Sequence, residues 1–113
     1  MKTINFNISK SDVETLLFSL SVLPSIVLEE VNNIQHEINT SCCLSSSEKL
    51  IHRNTDFIPN EIRVMYLSLK AVQLINIGEL DCDIDTKKDC SKYIFTVNKL
   101  IAYFESTFPQ YFS

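Results

Sequence analysis

The chain has 113 residues, 45% of them apolar and 21% charged, and a formal net charge of −4. That size and balance predict one domain, 1–113, with a single hydrophobic core, and exclude an intrinsically disordered chain. One glycine and three prolines leave too few breakers for a hairpin-rich fold, and neither half is basic enough to expect nucleic-acid binding.

In chain order, Ile4, Phe6 and Ile8 alternate with Thr3, Asn5 and Asn7. That period of two predicts a strand over about 3–8 with one buried face. Ser11 and Glu14 then have the spacing of a capping box. An apolar series follows: Val13, Leu17, Leu20, Pro24, Val27, Val31, Ile34, Ile38. Its steps of three and four make one stripe, with helix expected over about 11–22 and 24–39. Pro24 removes a helical hydrogen bond and clashes with the preceding turn. Because the stripe keeps its phase across Pro24, a kinked helix is favoured over a reversal.

Thr40–Ser47, rich in Ser, reads as a polar loop, and Ser45 with Glu48 as the cap of a short helix over about 46–53. Pro59 suits a first helical position. The helix it opens, about 59–77, carries so many apolar residues that it is expected at the centre of the fold. Gly78 then stands where a left-handed cap is needed. Leu80, Cys82 and Ile84 alternate with Asp81, Asp83 and Asp85, a second strand pattern over about 80–85. Thr86 and Asp89 fit another cap, and the last helix, about 87–106, sets Cys90, Tyr93, Ile94, Val97, Leu100, Ile101 and Phe104 on one face. A lone strand leaves backbone groups unpaired, so 3–8 and 80–85 are expected to pair. The fold class is therefore mainly α (α+β): a bundle of about four helices with a small two-stranded ribbon.

Leu16–Leu28, the most apolar stretch, is shorter than the roughly 20 residues of a membrane span. Asp12 and Glu14 sit where a signal peptide carries positive charge. A cytoplasmic protein with no membrane partner is expected, so the glycosylation patterns at Asn7 and Asn39 count as chance matches, and Cys42, Cys43, Cys82 and Cys90 as free thiols. Cys90 fits a small core residue.

The most unusual motif is Asp81-x-Asp83-x-Asp85. A calcium loop needs Gly at its sixth position and Glu at its twelfth, where this chain has Thr86 and Lys92. The alternatives are a solvated strand face with helix-cap acids, or a docking strip for a basic protein. The cysteines lack the paired short spacing of a zinc site, and His36 and His52 read as surface residues. A single glycine cannot build a phosphate-binding loop. No catalytic residue, metal or cofactor is therefore assigned.

What remains is a non-catalytic protein-binding module, with an immunity- or antitoxin-type inhibitor as its sharpest form. Asp81, Asp83, Asp85, Tyr111 and Phe112 are the candidate partner-binding residues, the two aromatics because an apolar tail must fold back or meet a partner. The alternatives are a homodimer built on the first helical stripe, and a small ligand-binding regulator with a pocket lined by Tyr66, Tyr93 and Tyr103.

Overall fold

The first helix begins where two side chains satisfy each other's backbone. In the computed structural model, which describes residues 4–5, 8–26 and 33–111, α1 spans Lys10–Val22. Ser9 Oγ accepts the Asp12 N–H at 3.1 Å, and the Ser9 N–H donates to Asp12 Oδ2 at 3.2 Å. This reciprocal box lies two residues ahead of the expected Ser11–Glu14 pair, because aspartate is long enough to reach back over one turn. Thr15 and Ser19 are buried beside Leu16 and Leu20. Their hydroxyls bond back to the carbonyls of Ser11 and Thr15 at 3.0 and 2.8 Å, which is how a serine-rich helix hides its polar atoms.

Pro24 breaks the helix rather than bending it. Leu23–Ser25 forms a single 3₁₀ turn and Ile26 is extended. The next helix, α2 (Asn33–Ile51), packs against α1. The expected kinked continuation is thus replaced by a reversal. Ile34 and Ile38, which the stripe placed on a common buried seam, are exposed, and Val27 and Val31 lie outside the described residues. In-phase spacing constrains side-chain direction along one axis only, so it is blind to a turn that starts a new axis.

α2 also runs straight through the expected loop at 40–47. It contains neither Gly nor Pro, and its buried side chains, Asn39, Cys43, Ser46 and Leu50, recur at helical spacing. Of the serines and cysteines that suggested a loop, Cys43 and Ser46 are buried, Cys42, Ser45 and Ser47 half-buried and Ser41 exposed. The helix ends at Arg53, whose φ of 57° is left-handed. The Asn54 N–H donates to Lys49 O at 2.8 Å and the Arg53 N–H to Leu50 O at 3.2 Å, a Schellman closure with arginine where glycine is usual. An L side chain there costs roughly 1–2 kcal/mol.

β1 (Ile4–Asn5) pairs antiparallel with β2 (Asp56–Phe57), Ile4 opposite Phe57 and Asn5 opposite Asp56. The expected ribbon exists as this short pairing, but its second strand is 56–57 and not 80–85. α3 (Pro59–Asn76) opens with Pro59 in its first turn, as expected, and closes at Gly78 with φ +87°. α4 (Ile84–Thr107) starts three residues before the expected 87. Residues 81–83 are neither helix nor strand, and Asp83 is extended. Their alternation comes from a chain crossing between helices, with Leu80 and Cys82 packed on the core and the acids outside.

The four α-helices among the described residues form a mainly α bundle, with α3 touching α1, α2 and α4. Ile62, Met65, Leu69, Val72 and Ile75 of α3 are fully buried. They meet Leu16 and Leu20 of α1 and Val97 and Phe104 of α4 in one core. The centrality expected of this apolar helix is what the structure has. No described helix is long and apolar enough to cross a membrane.

Candidate functional site

The three aspartates do not share a strand face. Asp81 is in the connection, Asp83 is the N-cap of α4 and Asp85 is in its first turn; all three are exposed. Asp83 Oδ1 accepts the Thr86 N–H and Oδ2 accepts the Thr86 hydroxyl, both at 2.8 Å. These two bonds hold the Asp83 carboxyl below its usual pKa. The cap is therefore Asp83 with Thr86, not Thr86 with Asp89. One of the three acids is committed to the helix, and all of them favour its positive end. Asp81 and Asp85 remain without an ion pair among the described residues, as does the nearby exposed Glu79.

This acidic corner leads into an exposed line of mixed character, with two large apolar side chains that sequence reasoning missed. Ile84 is 71% exposed and Phe95 is 83% exposed. They lie on one line of α4, Ile84–Lys88–Ser91–Phe95–Asn98–Ala102, every member of which is exposed. The line borders α3: Ser91 Oγ donates to Asn76 Oδ1 at 2.9 Å, and Gln73 Nε2 donates to Asn98 Oδ1 at 3.0 Å. Ile77, at the end of α3, is also exposed. The available signal was that Ile84 and Phe95 fall outside the buried stripe of α4, so their apolar surface has no intramolecular use.

The tail is folded back. The Tyr111 carbonyl accepts Arg63 Nε–H at 2.9 Å, and the Tyr111 ring lies 6.4 Å from that of Phe108, which is buried. Tyr111 itself is half-buried, and Phe112 lies outside the described residues. Phe108 stands edge-on to Phe104 and Tyr103. Of the expected partner-binding set, the structure brings Asp81, Asp83 and Asp85 to one corner and gives Tyr111 an intramolecular place.

The buried polar groups bind the fold together. Glu61 is 1% exposed. It receives Lys49 Nζ at 2.6 Å, Ser45 Oγ at 2.7 Å and the Ile58 N–H at 2.9 Å. Burial raises its pKa, but these three donors and the lysine charge outweigh it, and the carboxyl stays below its ordinary value. Glu61 thereby caps α3 and clasps it to α2. The thiols are all free. Burial pushes Cys43 and Cys90 up to about 11, with Ser68 partly opposing the rise at Cys43. Burial and Glu61 raise Cys42; burial, Asp83 and Asp81 raise Cys82, against Lys87. Raised thiols are poor nucleophiles at neutral pH. His36 and His52 are exposed, and no three of His, Cys, Asp and Glu are gathered for a metal among the described residues. No protein-family model, curated protein or solved structure matches the chain.

Proposed function

We propose that this chain is a non-catalytic, cytoplasmic protein-binding module that occupies a basic partner with the outer line of α4 and the acidic corner at its head. An inhibitor of the immunity or antitoxin kind is the form this takes. The observation that carries the reading is Phe95, a large aromatic with most of its surface in water on the outer face of α4. Exposed aromatics cost solubility and recur as the anchors of interfaces. Ile84 and Ile77 extend the apolar centre, while Glu79, Asp81 and Asp85 supply a charged rim that steers association.

Affinity capture from native cells, followed by binding kinetics with the captured protein, tests this. Phe95→Ala is expected to weaken binding by about 2 kcal/mol or more, roughly thirtyfold, mainly through faster dissociation. The triple change of Asp81, Asp83 and Asp85 to Asn is expected to slow association and flatten its salt dependence. Asparagine caps helices as well as aspartate does, so the triple variant tests charge rather than folding. Wild-type kinetics in both variants would remove this face from the function.

A further inference from the structure

The opening turns of α1 present Lys10, Val13, Glu14 and Leu17 along one stripe, at the spacing that aligns side chains on a helix. Leu50 and Arg53, at the end of α2, face them across a cleft of about 380 Å³. That volume falls in the roughly 300–1,000 Å³ range of small-molecule sites. Tyr66, Tyr93 and Tyr103, the expected pocket residues, do not line it.

The wall is apolar through Val13, Leu17 and Leu50, and its charges are separate from one another. Lys10, Glu14 and Arg53 form no ion pair among the described residues. Two cations against one carboxylate leave one positive charge unbalanced. Arg53 also holds the left-handed position that glycine takes without strain. It is exposed and lines the cleft, and a guanidinium matches a carboxylate through paired hydrogen bonds.

We infer that this cleft binds a small amphiphilic carboxylate: an aliphatic or aromatic body against Val13, Leu17 and Leu50, and a single carboxylate held by Arg53 and Lys10. The site uses no residue of α4 and stands independently of the protein-binding face.

The test is a titration of the full-length ¹⁵N-labelled chain with decanoate, with decanol and decylamine as neutral and cationic counterparts. Decanoate is expected to give saturable amide shifts confined to the start of α1 and to Arg53–Thr55. Decanol, and decanoate with Arg53→Gln, are expected to bind about tenfold or more weakly, the worth of one charge-assisted hydrogen bond. Arg53→Gly is expected to melt at a higher temperature and yet lose the same affinity, so its loss cannot come from misfolding. Absence of saturable shifts, equal binding of decanoate and decanol, preference for decylamine, or full affinity in Arg53→Gln would each overturn the proposal.

Discussion

Glu61 concentrates more of the fold's polar chemistry than any other described residue. Its two oxygens accept from Lys49, Ser45 and the Ile58 backbone, so removing Lys49 leaves a buried carboxylate without its counter-charge. Lys49→Met is expected to destabilise the protein by about 3 kcal/mol in urea melts at pH 7. The sign with pH follows from the folded pKa lying below the ordinary 4.5. The clasp contributes fully above that value and is lost as pH falls through the lower, folded one. The stability gap between wild type and Glu61→Gln should therefore shrink below pH 4.5, and a constant gap would show that ionisation of Glu61 contributes nothing. Ser46 is the opposite case. Its hydroxyl is fully buried and has no hydrogen-bond partner among the described residues. Ser46→Ala removes an unsatisfied group and is expected to leave stability unchanged or raise it by about 1 kcal/mol. The thiols add a kinetic check: at pH 7.5 Cys43 and Cys90 should resist alkylation until the protein is unfolded, being both buried and raised to about 11.

At the scale of the helices, the ends decide where each element stops. Two closures use left-handed residues, Arg53 after α2 and Gly78 after α3. Their substitutions should act in opposite directions. Arg53→Gly relieves strain and is expected to add about 1 kcal/mol. Gly78→Ala introduces it and should cost about 1 kcal/mol, although nothing lies within 4 Å of the added methyl. Thermal melts that moved both variants the same way would contradict the backbone account. The heads of the helices are set by Ser9, Glu61 and Asp83. Ser9→Ala is expected to cost about 1 kcal/mol. Asp83→Ala should expose the amides of the first turn of α4 to faster exchange, while Asp83→Asn should protect them. Two of these caps were misassigned from sequence. Ser11–Glu14 and Thr86–Asp89 satisfy the same spacing rules as the pairs actually used, and only the local backbone decides between neighbouring donors.

For the molecule as a whole, α3 is the element the others share. Leu69 is fully enclosed by the core. Leu69→Ala is expected to cost about 2–5 kcal/mol, a large part of the roughly 5–15 kcal/mol available to a domain. The radius of gyration, 13.2 Å, is that of a tightly packed chain of this length. Apolar surface is left in water on α2 as well, at Ile34, Leu44 and Ile51, but Phe95 on α4 is the largest of these side chains and the most exposed. Tyr111 shows the converse, an aromatic the core has taken back through Phe108 and Arg63.

Much of this was legible in the residues themselves. The central helix announced itself by apolar side chains around most of its girth, from Ile62 to Ile75, and by Pro59 and Gly78 at its ends. The buried stripe of α4 followed from a 3.6-residue period. Each of these depends on interactions within one or two turns, so local sequence is sufficient to specify them. What the tertiary structure alone decided was of longer range. Pro24 permits either a bend or a reversal, and packing of α2 on α1 selects the reversal. Period two at 80–85 makes no strand, since Ile84 and Asp85 open α4, and β1 found its pairing at 56–57. The serines of α2 read as loop until Glu61, sixteen residues beyond Ser45, is brought within reach. Spacing records which way side chains point along a single axis; which axes meet, and which polar groups thereby become satisfied, is settled only when the chain closes on itself.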